Sequence, residues 1–159
     1  MSAARALLPA VLILLALPAL RAAEGDAAKA MWYEKLDDAV AASAKSGKPI
    51  LADFSGSDWC HWCQVLKKEV FDTPEFATWA EKTVVLLEVD MPMATAQAPE
   101  IAKQNEALCA KFSIEQWPSV LILDAKLALI GRLGYVPGGP KAFTAAFNAA
   151  YTSQIAPAK

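Results

Sequence analysis

Clustered basic residues, histidine and long apolar runs are all scarce in this chain of 159 residues. Its 15 Lys and Arg residues are scattered among 17 Asp and Glu residues, and only Lys67 and Lys68 are adjacent. Binding to nucleic-acid phosphates needs a basic surface patch, so we predict no nucleic-acid partner. One histidine and three cysteines cannot easily provide the four ligands of a closed zinc site. We therefore expect no bound metal and no cofactor.

The N-terminal apolar run, over residues 6–20, is shorter than the roughly 20 apolar residues that span a bilayer, and it contains Pro9 and Pro18. Arg5 before the run and small residues after it form the pattern of a secretory signal peptide. We predict a signal peptide over residues 1–23, cleaved near Ala22 or Ala23. The processed protein would be exported, periplasmic in a bacterium and otherwise secreted, without stable membrane insertion.

Residues 24–30 form a polar lead-in, and residues 31–155 have the size of one domain with a hydrophobic core. Apolar periodicity and turn residues predict helices and strands in alternation, ending in a hairpin and a last helix. The predicted helices lie at about 31–46, 60–70, from Thr73-Pro74 onward, 99–112 and after 138–140, and the strands at 49–55, 83–90, 119–124 and 127–133. This order predicts an α/β fold with a central mixed four-stranded sheet and helices on both faces.

Cys60 and Cys63, in the run Trp-Cys-His-Trp-Cys, carry the strongest chemical signal. Two cysteines at this spacing, at the start of a helix, can form and open a disulfide with local motion only, and the helix terminus stabilises a thiolate. Cys60, expected at the exposed end, is the predicted nucleophile, and Cys63 resolves the mixed disulfide. Gln64 stands where haem attachment would require histidine.

Two further residues have open interpretations. His61, between the two cysteines, would lower the Cys60 pKa when it is protonated, or it is only an exposed spacer. Cys109, on the helix predicted at about 99–112, fits a structural role because free cysteines are often buried. An odd cysteine count in an exported protein also allows a third redox centre or an intermolecular disulfide.

The run Asp-Phe-Ser-Gly-Ser-Asp-Trp-Cys-His-Trp-Cys over residues 53–63, followed by Trp117-Pro118-Ser119, resembles the thioredoxin superfamily. The resemblance covers about residues 31–153. It is closest to exported single-domain thioredoxin-like proteins, which are similar to the thioredoxin domain of membrane-linked disulfide reductases. It implies a thioredoxin-like fold in which Pro118 is a cis proline packed against the cysteine pair, where the neighbouring backbone pairs with substrate chains.

The same resemblance implies roles for other side chains. Asp53 matches a buried strand aspartate that helps to move a proton from the inner cysteine, although it could instead reach solvent at the strand end. The lysine that thioredoxins place on the next strand is absent, and Glu88 is its candidate replacement. Trp59, Trp62 and Trp117 would form an aromatic wall for an apolar peptide segment, with core packing as the alternative for Trp117.

These features predict an exported thiol-disulfide oxidoreductase that reduces or isomerises disulfides of other exported proteins through Cys60 and Cys63. Its expected partners are those disulfide-containing proteins and a membrane thiol-disulfide electron donor. Three alternatives stay open: a disulfide-donating oxidase, a Cu(I) site on the two thiolates, and a binding module in which the disulfide is only structural.

Overall fold

A computed structural model describes residues 29–155 of the chain. The predicted signal peptide and residues 24–28 of the polar lead-in lie outside the described residues.

The centre of the domain is a mixed sheet of five strands in the order β1-β3-β2-β4-β5. The strands are β1 Trp32–Tyr33, β2 Ile50–Ser55, β3 Val85–Asp90, β4 Ser119–Leu123 and β5 Leu129–Leu133. β1 and β2 both run parallel to β3, whereas β4 is antiparallel to its neighbours β2 and β5. Every residue of β2 and β4 is buried, as expected for central strands covered on both faces.

Five α-helices accompany the sheet within residues 29–155: α1 Leu36–Ser46, α2 His61–Leu66, α3 Pro74–Thr83, α4 Pro99–Lys111 and α5 Gly139–Ile155. α2 continues directly into a π-helical segment, Lys67–Phe71. Thr73 caps α3 by accepting the Phe76 N–H, with Pro74 in the first turn, as the sequence predicts. None of the helices in this part of the chain is long and apolar enough to cross a membrane.

The core lies on both faces of the sheet. Leu66, Val70 and the α5 residues Phe143 and Phe147 pack on one face. Ala39 of α1 and Leu108 of α4 pack on the other, together with Phe54 of β2. The predicted α/β class with helices on both faces is therefore confirmed.

The sheet has five strands instead of the predicted four, because the chain is extended at Trp32–Tyr33, where a helix was predicted. Trp32 is the register partner of Leu86 in β3, and its ring centroid lies 5.1 Å from that of Phe71. A two-residue strand is too short to show an alternating pattern, and the spacing of Trp32 from Leu36 also fits a helix. Helix α1 consequently begins at Leu36 rather than near residue 31.

Candidate active site

Three chain segments meet at one end of the sheet. β2 and β3 are parallel and end together, with Ser55 opposite Asp90. β4 is antiparallel to β2 and begins there, with Ser119 opposite Phe54. The same end of the sheet therefore carries residues 56–63, residues 91–98 and the dipeptide Trp117-Pro118.

Cys60 and Cys63 form a disulfide at this end of the sheet, with their Cα atoms 5.3 Å apart. Their exposed fractions are 6% and 4%, so accessibility in the oxidised state does not separate a nucleophile from a resolving cysteine. Their local geometry differs, because Cys60 is the N-cap residue of α2 and its Sγ accepts the Cys63 N–H at 3.2 Å. After reduction, a Cys60 thiolate at this position would be stabilised by that N–H and by the helix terminus.

Trp59 and Trp117 stand together beside the disulfide. Their ring centroids are 5.5 Å apart in an edge-to-face arrangement, and the Trp59 Nε1–H donates to the Met91 carbonyl at 2.8 Å. Trp59 is exposed, whereas Trp117 is half-buried and packs against the core on the α1 and α4 side. Trp117 thus contacts both the core and the exposed Trp59 ring.

His61 and Trp62 open helix α2, and both are exposed. Their ring centroids are 5.5 Å apart, and Trp62 also lies 5.2 Å from Tyr135. The Tyr135 hydroxyl donates to Glu69 Oε2 at 2.6 Å, which holds this tyrosine in place. Tyr135 was missed by sequence reasoning, because a lone tyrosine after a strand belongs to no motif.

The Trp117-Pro118 peptide bond is cis. Pro118 directly precedes β4 and thus lies at the end of the sheet that carries the disulfide. The backbone next to it is the segment for which the sequence resemblance implies pairing with substrate.

Asp53 lies behind the disulfide and is buried, with no hydrogen-bond partner for Oδ1. It lines a cavity of about 60 Å³ together with Cys63, Lys67 and Glu88. Burial raises the pKa of its carboxyl to about 8, and the nearby Glu88 adds to the increase. The alternative in which Asp53 reaches solvent does not fit this burial.

Glu88 is the register partner of Asp53 on β3, and desolvation raises its pKa as well. The positive charge that counteracts both shifts belongs to Lys67 of the π-helical segment, whose Nζ also lies 3.3 Å from Asp72 Oδ1. The site therefore has a lysine near the carboxyls of Asp53 and Glu88, on the π-helical segment rather than on β3. Lys67 was not predicted for this role, because the family resemblance places the lysine on the strand that follows Asp53.

Cys109 lies on α4, is partly buried and packs against the core. Burial raises the pKa of its thiol. No group of three or more His, Cys, Asp or Glu side chains suited to a metal ion occurs in the described part of the chain.

Comparison with known proteins gives consistent results. Residues 31–125 match the model of a family described as thioredoxin-like. Disulfide bond reductase DsbH of Chlamydia pneumoniae is 31% identical over 129 residues, which cover 81% of this chain and 73% of that protein. Thioredoxin-related protein DsbJ of the same organism is 35% identical over 128 residues, covering 80% of this chain but only 37% of DsbJ. A solved structure of a DsbH oxidoreductase superposes with a TM-score of 0.75 at 30% identity, covering 79% of this chain and 86% of that one.

Proposed function

This chain belongs to the thioredoxin-like family and is a thiol-disulfide oxidoreductase, and we propose that it acts as an exported reductase or isomerase of protein disulfides. The observation that carries the proposal is the Cys60-Cys63 disulfide at the start of α2, with Cys60 Sγ facing the Cys63 N–H. The similarity to a protein named as a disulfide bond reductase supports the reductive direction. Its substrates are then disulfide-containing exported proteins, and a membrane thiol-disulfide donor returns the electrons.

The proposed reaction has two exchange steps. The Cys60 thiolate attacks a substrate disulfide, forming a mixed disulfide and releasing one substrate thiolate. The Cys63 thiolate then attacks Cys60 Sγ, which releases the second substrate thiolate and forms the Cys60-Cys63 disulfide. Two electrons pass to the substrate, and a donor dithiol restores the reduced pair by the same exchange in reverse.

Asp53 is the proposed base for Cys63. Both residues line the small cavity, whose volume of about 60 Å³ exceeds the roughly 10–15 Å³ that a water needs, so a water could relay the proton between them. A carboxyl with a pKa near 8 is suited to exchange protons near neutral pH. Glu88, next to Asp53 on the sheet, is the next acceptor toward the surface.

The proposed substrate surface consists of Trp59, Trp62 and Trp117, with the backbone beside Pro118 pairing with the bound chain. The exposed indoles of Trp59 and Trp62 support this, because aromatic side chains dominate the energetics of binding surfaces.

His61 is proposed to favour the Cys60 thiolate when it carries a proton. Its exposed position at the first residue of α2, directly after Cys60, supports this proposal. His61→Ala should shift the pH dependence of Cys60 alkylation upward, and an unchanged profile would make His61 a spacer.

The direction of the reaction is tested by the reduction potential. The processed protein is equilibrated in glutathione buffers of graded ratio, and the Cys60/Cys63 state is followed by the mass shift on alkylation. A value near about −270 mV supports the reductase, whereas one near about −120 mV makes the protein a disulfide donor. A pair that never opens would leave only a structural disulfide.

The assigned cysteine roles are tested by trapping. Cys63→Ser should accumulate mixed disulfides with exported proteins through Cys60, because the resolving thiol is gone. Cys109→Ser is the matched control and should trap none. Trapping by Cys60→Ser instead would reverse the roles.

Export is proposed from the N-terminal pattern. Mass analysis of the protein recovered outside the cytoplasm of an expressing bacterium should give a start near Glu24. Retention of residues 1–23 on a cytoplasmic product would contradict it.

A further inference from the structure

We propose that residues 91–95, called here the Met93 loop, form a substrate-selecting side of the active site, with Met93 contacting an extended apolar stretch of the disulfide-bearing polypeptide. The inference rests on the proposed function, because it names a determinant of the substrates that Cys60 meets. It is carried by how this loop is attached to the chain around the disulfide.

Asp58 makes the main attachment. Its carboxylate accepts three successive backbone N–H groups of the loop, from Met93 at 2.9 Å, Ala94 at 2.8 Å and Thr95 at 2.9 Å. Asp58 is two residues before Cys60, so the Met93 backbone is fixed next to the redox pair. These hydrogen bonds lower the pKa of the Asp58 carboxyl, and the attachment therefore persists at neutral pH.

Two more contacts join the same two segments. Asp90, the last residue of β3, accepts both the backbone N–H and the hydroxyl of Ser57, at 2.8 and 2.6 Å. The Trp59 indole donates to the Met91 carbonyl. Residues 57–59, before the disulfide, and residues 90–95 are thus joined by hydrogen bonds into one unit. Trp59 and the Met93 loop therefore hold fixed positions relative to each other.

The loop presents an apolar surface at this position. Met93 is 80% exposed, the largest exposed fraction among the large hydrophobic side chains of the described residues. The whole connection from residue 91 to residue 98 has no charged side chain. An unbranched, polarizable methionine adapts to varied apolar partners. Because the loop is hydrogen-bonded to both Asp58 and Trp59, Met93 adds an apolar side chain to the end of the sheet that carries the three tryptophans.

An apolar polypeptide segment is the occupant that these features favour. A thiol-disulfide exchange brings a substrate cysteine, and with it the flanking chain, to Cys60. A backbone held in place before binding loses less conformational entropy on association, and three hydrogen bonds to one carboxylate hold the Met93 backbone in this way. A small disulfide without flanking chain would not reach the loop.

The test compares a protein disulfide with a small one. The reduced full-length processed protein is mixed with insulin or with 2-hydroxyethyl disulfide, and the rate constant of each reaction is measured. Met93→Glu should lower the insulin rate constant by about fivefold or more, because a carboxylate would have to lose water against the apolar substrate segment, and should change the small-disulfide rate much less. Met93→Leu should restore the insulin rate.

The matched control is Met31→Glu. Met31 is also an exposed methionine, at 69%, but it precedes β1 at the far edge of the sheet. This variant should leave the ratio of the two rates unchanged. Equal slowing of both substrates by Met93→Glu, or no slowing of insulin, would overturn the proposal.

Asp58 is tested as a positioning residue. Asp58→Asn replaces an acceptor of three N–H groups by a side chain with only one acceptor atom. It should raise the KM for insulin and speed hydrogen exchange at the Met93, Ala94 and Thr95 amides. Faster exchange with an unchanged KM would show that the fixed loop has no part in selection. If the reduction potential is that of an oxidase, the same comparison is made in the oxidising direction, with the oxidised protein reacting with reduced insulin or with 2-mercaptoethanol. The effect of Met93→Glu on the ratio of these two rates then tests the loop. The loop proposal and the proposed reductase can therefore fail separately.

Discussion

A single buried carboxyl, Asp53, makes the stability of the oxidised protein depend on pH. Its pKa is raised from 3.8 to about 8 by burial and by Glu88, so between these values the folded protein holds a proton that the unfolded chain releases. The contribution of Asp53 to the free energy of unfolding is therefore most favourable below pH 4 and decreases as the pH rises toward 8. The decrease due to Asp53 is about 1.4 kcal/mol per pH unit.

We predict that Asp53→Asn removes most of this decrease and makes the oxidised protein more stable at pH 7. A smaller decrease should remain, because the pKa of Glu88 is also raised. Urea unfolding between pH 5 and pH 8 measures the effect, with the exposed Asp38→Asn as control. Parallel curves for the wild type and Asp53→Asn would mean that Asp53 is ionised in the folded protein.

Gly56 determines where Trp59 lies. A Cβ at residue 56 would overlap the Trp59 indole, so Gly56→Ala must displace the ring and break its hydrogen bond to the Met91 carbonyl. We predict a loss of about 1–3 kcal/mol in stability, as for other overpacked sites, and a change in tryptophan fluorescence. Gly134→Ala is the control, because its Cβ meets only the Pro118 carbonyl, at an ordinary 3.5 Å. Equal stability of the two variants would show that Trp59 moves freely.

At the scale of helices and strands, the sequence predicts the elements that have strong local signals. β2 and β4 follow from short apolar runs, α3 from its Thr73-Pro74 start, and α5 from the spacing of Phe143 and Phe147. β1 could not be predicted, because its evidence is the pairing with β3 and not a pattern within two residues. The same holds for Lys67, whose proximity to Asp53 and Glu88 depends on how α2 and its π-helical continuation pack on the sheet.

β1 contributes stability mainly through Trp32. Its ring contacts Phe71 and stacks at 6.4 Å from Phe76, and it lines the cavity behind Cys63. We predict that Trp32→Ala destabilises the protein by about 2–4 kcal/mol, somewhat less than a fully buried tryptophan would. The urea midpoint is the measurement.

The control for Trp32 is Trp62→Ala, because Trp62 is exposed and the loss of an exposed ring removes little buried area. It should shift the midpoint by much less. A Trp32→Ala protein as stable as Trp62→Ala would show that β1 is dispensable for the fold.

For the whole molecule, the redox pair was predictable and its setting was not. Cys60 and Cys63 are only three residues apart in sequence, and the resemblance implied Asp53 and Pro118. The contacts of Asp58, Met93 and Tyr135 could not be predicted, because they depend on chain segments that converge only when the sheet forms. The redox residues can thus be recognised from a short stretch of sequence, whereas the proposed substrate-selecting surroundings depend on the complete fold.

The direction of electron flow is also a property of the whole fold, because it depends on which redox state folding favours. A strong oxidant has a stabilised reduced form, so its oxidised form unfolds first. For the proposed reductase we predict the opposite: the oxidised protein has the higher free energy of unfolding. Potentials of −270 and −120 mV differ by about 150 mV, which corresponds to about 7 kcal/mol between the two cases. Urea unfolding of both states, in a Cys109→Ser background that prevents disulfide exchange with the third cysteine, separates them. A reduced form more stable than the oxidised form would identify a disulfide donor, because folding would then favour the release of the disulfide to a substrate.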